Sequence, residues 1–151
     1  MTFGWVACAA PGYLAENGAP AHFDDLHDHC CIGFRNQRTG LVDPWRFRGT
    51  GNEPVRWVVE PAVVLDDANA VVAVARSGYG IAWAPEWLVA EHLRDGTLVS
   101  ILSDYAAEPM MLSMVRRRNN RDPKRIERVL AFLKANVVTV SDRRHDAAAH
   151  Q

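Results

Sequence analysis

The stretch from Ala62 to Ala84 constrains the fold of this chain more than any other. It runs Ala62-Val-Val-Leu65, then Asp66-Asp67, then a helix-favouring segment ending at Gly78, then Gly80-Ile-Ala-Trp-Ala84. Two short apolar runs separated by one helix form a βαβ signal, which commits the chain to an α/β class with parallel strands. Asp66 and Asp67 suit the start of that helix, where a side-chain oxygen accepts from an orphan N–H, and Gly78 suits its C′ position. Ala68 to Ala75 is apolar nearly all round, so the helix is expected to be covered on several sides.

Flanking segments extend the pattern. Phe3 to Ala10 is an apolar run ended by Pro11, a buried strand leading into a short helix through Tyr13 and Leu14 that Gly18 closes. Phe23 to Leu26 opens a helical turn, and Cys30 to Phe34 is a second buried strand. Trp45 to Arg48 and Val55 to Val59 alternate apolar with polar residues around Gly49, Gly51 and Asn52, which predicts an antiparallel hairpin. Pro85 starts another helix that reaches Gly96, followed by strands at Leu98 to Leu102 and Met110 to Val115. The last helix has Asp122 as N-cap and Pro123 at N1, with Ile126, Val129, Leu130 and Leu133 on one face that must pack on something. Residues 141–151 are polar and alanine-rich and are expected to form a flexible tail.

A chain of 151 residues with 48% hydrophobic content can bury a core, and no apolar run approaches the roughly 20 residues of a bilayer span. With no basic and apolar leader at Met1, a cytoplasmic location is expected and no membrane partner. Cys8, Cys30 and Cys31 are odd in number and two are adjacent, so they read as reduced thiols. The net charge of −1 conceals an asymmetry: residues 1–110 hold 14 acidic and 7 basic side chains, residues 111–151 hold 4 and 10. The arginines from Arg116 to Arg125 lie between a strand and an amphipathic helix without interleaved aromatics, which reads as a solvated turn.

Asp24, Asp25, His27, Asp28, His29, Cys30 and Cys31 include every common metal-ligand type, but their spacing lacks the CxxC or HxxxH intervals that bring ligands to one tetrahedron. No metal and no cofactor are expected. There is no G-x-S-x-G elbow and no histidine paired by sequence with Cys8 or Cys31, so no enzyme activity is expected. The two helices within residues 67–95 do not read as a DNA-binding helix-turn-helix. Their connector is an apolar strand, and Glu86, Glu91 and Asp95 have the wrong sign for phosphates.

Several stretches, in order, resemble the effector-binding domain of LysR-type transcriptional regulators. Ala9-Ala10-Pro11-Gly-Tyr13-Leu14 is similar to the family's crossover strand and following helix; Asp24-Asp25-Leu26 and Cys31-Ile32-Gly33-Phe34-Arg35 are similar to the next helix and strand. Val63-Val-Leu-Asp66-Asp67-Ala68 and Gly78-Tyr-Gly80-Ile81-Ala-Trp-Ala-Pro85-Glu-Trp87-Leu88-Val89 are the most specific part, and the resemblance covers about residues 4–136. It implies an α/β fold like the type II periplasmic binding proteins: a complete second lobe, about 9–105, with 1–8 and 106–140 forming the returning part of the first lobe. On this reading residues 1–140 are a partial effector-binding domain that lacks the winged helix-turn-helix.

The family's ligand lies between its lobes. Carried over by position, the resemblance places effector contacts at Ala9, Ala10, Ile32, Gly33, Phe34, Asp66, Asp67, Gly80 and Ile81. Ala10 stands where many relatives have Ser and Asp66 where many have Asn, which removes one polar contact and adds a negative charge. The implied partners are a small-molecule effector, such as a small organic or aromatic acid, and a second copy of the chain in a dimer or other homo-oligomer. DNA would be reached only through a domain outside this chain. The alternative is a stand-alone solute-binding or regulator-interacting module of the same fold.

Overall fold

The structure is a computed structural model that describes residues 2–107, 109–111 and 123–137. The chain divides into two units, Gly4–Pro109, and Met1–Phe3 with Met110–Gln151. The apolar run at the amino end is accordingly not one strand. It breaks at Gly4 into β1 (Thr2–Phe3), in the smaller unit, and β2 (Trp5–Ala9), in the larger.

In the larger unit, β2 leads into α1 (Pro11–Asn17), a 3-10 turn (Phe23–Asp28), β3 (Cys31–Phe34), and the hairpin β4 (Trp45–Arg48) and β5 (Pro54–Trp57). Then come β6 (Val63–Leu65), α2 (Ala68–Arg76), β7 (Ile81–Pro85), α3 (Glu86–Arg94) and β8 (Val99–Ile101). Five strands form one sheet in the order β6-β3-β7-β2-β8. β3 is parallel to both β6 and β7, whereas β2 is antiparallel to both β7 and β8. The βαβ unit is therefore present with β3 inserted between its two strands. The hairpin is antiparallel, Trp45 opposite Trp57 and Phe47 opposite Val55.

Period-two alternation divides the core between the two faces of the sheet. Cys8, Ile32, Ala82 and Ala84 face α2 and α3, packing with Val71, Val72, Ala75, Val89 and Leu98. Small residues at 82 and 84 leave room for those helices. Ala7, Ala9, Cys31, Ile81 and Trp83 face the other way, toward Tyr13, Phe23, Leu26 and the hairpin side chains Trp45, Phe47 and Trp57. Trp83 is central there: it stacks on Trp5 at 6.2 Å and on Trp45 at 6.1 Å, and Phe47 meets it edge-on at 5.0 Å.

Helix α2 begins as expected, the Asp67 carboxylate accepting from the Ala70 N–H at 2.8 Å, and ends at Gly78, whose φ of +82° only glycine adopts without strain. Its covering is narrower than the composition suggests. Val71, Val72 and Ala75 are buried, but Asn69 and Ala73 are exposed, because the sheet covers one side and alanine tolerates water on the other.

The smaller unit contains β1 paired antiparallel with β9 (Met110–Met111), and α4 (Pro123–Val137). Residues 112–115 of the expected strand, the Asp122 cap and the expected tail 141–151 lie outside the described residues. On the expected packing face of α4, Val129 is 53% and Leu133 37% exposed. Among the described residues no helix is long and apolar enough to cross a membrane.

Candidate functional site

The carboxyl ends of the parallel strands β6, β3 and β7 lie along one edge of the sheet. Phe34 and Leu65 are register partners there, and Trp5, the first residue of antiparallel β2, sits opposite Pro85, the last of β7. This is the edge of an open α/β sheet where helix N-termini emerge and ligands commonly bind. Trp5, Phe34, Ala68, Val71, Trp83 and Pro85 line an apolar hollow of about 40 Å3, roughly the space of one methyl-sized group. Phe34 is half-buried, so its ring is both wall and surface.

Polar groups surround the hollow. Asp66 and Asp67 are exposed at the start of α2. The Asp67 carboxylate is committed to capping, and the Asp66 carbonyl accepts from Gln37 Nε2 at 3.2 Å, which ties the β3–β4 connection to this edge. By helix geometry the N–H groups of Ala68 and Asn69 have no acceptor inside the helix and point outward from its start. Glu86 opens α3, its N–H donating to the Gly4 carbonyl at 2.9 Å. The edge thus offers an aromatic surface and two free amide donors, ringed by carboxylates.

The nine expected contact residues are not brought together. Phe34, Asp66 and Asp67 are at this edge. Ala9, Ala10, Gly80 and Ile81 are at the opposite one: Cys31 pairs with Ile81 and Ala9 with Val99, about three residues or 10 Å along the strands from the Phe34 row. Ala9 and Ile81 are fully buried on the hairpin face, and Ala10 is 7% exposed. Ile32 is buried on the helix face, and Gly33 lies under Pro61 and Val42, where a Cβ would come within 2.8 Å of Pro61 Cβ. At Gly80 a Cβ would collide with the Cys30 carbonyl oxygen, which accepts the Ile81 N–H at 2.8 Å. Gly33 and Gly80 therefore admit the close approach of neighbouring protein atoms. Trp5, Trp83, Pro85 and Ala68 belong to the edge and were not anticipated; a proline ending an apolar strand was the available signal, but nothing local pairs Trp5 with it.

The histidine and cysteine stretch is engaged group by group. Asp25 accepts from the Ala21 and His22 N–H groups at 2.9 and 2.8 Å, Tyr13 Oη lies 3.0 Å from His29 Nδ1 and accepts from the Cys30 N–H at 3.0 Å, and His27 packs on Trp57. Among the described residues no three His, Cys, Asp or Glu side chains converge as a metal site would require. Cys8 and Cys31 are buried, and burial pushes both thiols up to about 12; Cys30 is exposed.

Residues 1–137 match the LysR substrate binding domain family. The HTH-type transcriptional regulator YhjC of Escherichia coli K12 is 30% identical over 129 residues, covering 85% of this chain and 42% of that protein. The regulatory domain of AphB in Vibrio vulnificus superposes with a TM-score of 0.63 at 28% identity, over 72% of this chain and 52% of that one. The effector domain of the transcriptional regulator AmpR of Pseudomonas aeruginosa shares the fold, with a TM-score of 0.64 at 17% identity, over 95% of this chain and 66% of that one. The chain spans less than half the length of the curated regulators it matches. It belongs to the LysR substrate-binding domain family, the regulatory domain of LysR-type transcriptional regulators.

Proposed function

We propose that this chain senses a small-molecule effector at the carboxyl edge of the larger unit, within a cytoplasmic regulator that acts as a dimer or other homo-oligomer and reaches DNA through another domain. The larger unit then corresponds to the family's second lobe. The observation that carries the reading is the conjunction of an apolar surface, Trp5, Phe34 and Pro85, with the outward amides at the start of α2. Such a surface favours a flat, apolar ligand body, and the amides favour an acidic group on it. Asp66 opposes that preference, so a small organic or aromatic acid binds this edge less tightly than a helix start alone would allow. Ala9, Ala10, Gly80 and Ile81 serve as scaffold, because a ligand that touches Phe34 does not reach the far edge, and Ile32 and Gly33 do so because Ile32 is buried on the helix face and Gly33 is covered by Pro61 and Val42.

Calorimetric titration of aromatic acids and their neutral amides tests this. Phe34→Ala should weaken every ligand, by about 1 to 2 kcal/mol for loss of the ring contact. Asp66→Asn should favour the acids over the amides by about 0.3 to 1 kcal/mol. A ligand that binds the parent and both folded variants equally is bound elsewhere, and the assignment fails.

A further inference from the structure

We propose that the β4–β5 hairpin carries a second binding site, for a small organic anion, separate from the sheet edge. β4 reads Trp-Arg-Phe-Arg and β5 reads Pro-Val-Arg-Trp. Alternation sends Trp45, Phe47 and Trp57 into the aromatic core, while Arg46 lies directly opposite Arg56 and Arg48 opposite Pro54. Arg46, Arg48, Arg56 and Asn52 border a hollow of about 280 Å3 with Pro54, Val55 and Ala107 as its apolar part. That volume is close to the lower end of small-ligand pockets, about 300 Å3.

Three features distinguish this site from an ordinary solvated surface. Residues 1–110 carry 7 basic against 14 acidic side chains, yet Arg46, Arg48 and Arg56 all border this one hollow. Arg46 faces Arg56 directly across the antiparallel pair, which sets two like charges side by side at the hollow. The turn also positions a donor: Asn52 adopts a left-handed φ of +69°, which asparagine tolerates, and its Oδ1 accepts from Arg48 Nη1 at 2.7 Å. Planar guanidinium forks match the paired oxygens of a carboxylate or phosphate, and Pro54 and Val55 take an apolar body. The ligand class is thus a compact carboxylate or phosphate bearing a ring or short hydrocarbon.

Phenyl phosphate and benzoate are the probes, titrated calorimetrically into the whole chain, the doubly substituted Arg46→Gln/Arg56→Gln chain, Phe34→Ala, and a chain with Arg116, Arg117 and Arg118 all changed to Gln. The parent should bind at least one probe in the millimolar range or tighter. The hairpin variant should bind it at least about tenfold more weakly. The triple variant should retain parental affinity for it, and any weakening by Phe34→Ala should be smaller than the hairpin variant's, which separates this site from the sheet edge and from the basic run. The hairpin variant should keep the parent's circular dichroism spectrum, so that the loss of binding is read on a folded chain. The proposal is overturned if the parent binds neither probe at millimolar concentration, if the hairpin variant binds as the parent does, if binding follows Phe34 or the Arg116 run instead, or if the hairpin variant loses binding only because it has lost the parent's spectrum.

Discussion

Replacing Gly80 by alanine separates a scaffold glycine from a ligand-facing one. The added methyl would land on the Cys30 carbonyl oxygen, a backbone atom that cannot swing aside, so β7 must move away from β3 at the point where the Ile81 N–H reaches that oxygen. Losing this buried bond costs about 1 kcal/mol, and forcing a methyl into a filled site adds about 1 to 3. The expected loss is about 2 to 4 kcal/mol, a fall in melting temperature of about 10 to 20 °C for a unit of this size. Gly12 supplies the control with the opposite sign. It lies in α1 with nothing within 4 Å of an added Cβ, so Gly12→Ala should gain up to about 0.5 kcal/mol from reduced backbone freedom in the unfolded chain. Urea and thermal unfolding followed by circular dichroism measure both. The reasoning fails if Gly80→Ala lies within about 0.5 kcal/mol of the parent, or if the two substitutions shift stability alike.

Further outcomes follow from caps, carboxylates and thiols. Asp67→Ala should cost about 1 kcal/mol by removing the acceptor for the Ala70 N–H, while Asp67→Asn should be nearly neutral; equal losses would show that the carboxylate does not act as a cap. The His22 and Ala21 N–H groups hold the Asp25 carboxyl below the usual carboxylate range. Its stabilisation is therefore complete above that range and lost as pH falls through the lowered value, and Asp25→Asn should flatten this part of the acid-stability curve; superimposable curves would refute the assignment. Thiol titration of the native chain near about pH 8 should modify Cys30 quickly and leave Cys8 and Cys31 until unfolding, whereas rapid modification of all three would contradict their burial.

Much of the fold was legible because its signals are local. Asp67 and Gly78 bracket α2, alternation around Asn52 marks the hairpin, and Pro85 precedes α3. Strand order was not legible, since nothing near Trp5 indicates that β2 runs antiparallel between β7 and β8. That omission divided the candidate site. Without the direction of β2, Ala9 and Phe34 cannot be assigned to opposite edges, and a glycine such as Gly80 signals a close approach without saying whether ligand or backbone makes it. The exposed apolar face of α4 follows the same logic: periodicity predicts which residues align, but the element that meets them is set elsewhere in the chain.

The position of β2 also bears on how the larger unit reaches its folded state. Cys8 pairs with Ala82 on one side and Ser100 on the other, so the second strand in from one edge of the sheet comes from the beginning of the unit and finds both neighbours near its end. Contacts so distant along the chain close large loops before they return any stabilisation, which slows the search for them. Until that insertion occurs, β7 and β8 lack their shared neighbour, and the apolar Trp-Val-Ala-Cys-Ala strand has nowhere to pair. Folding of the unit should therefore be late, cooperative and vulnerable to aggregation at one step, and a chain ending before Ile101 should acquire little of the sheet rather than a proportionate part of it.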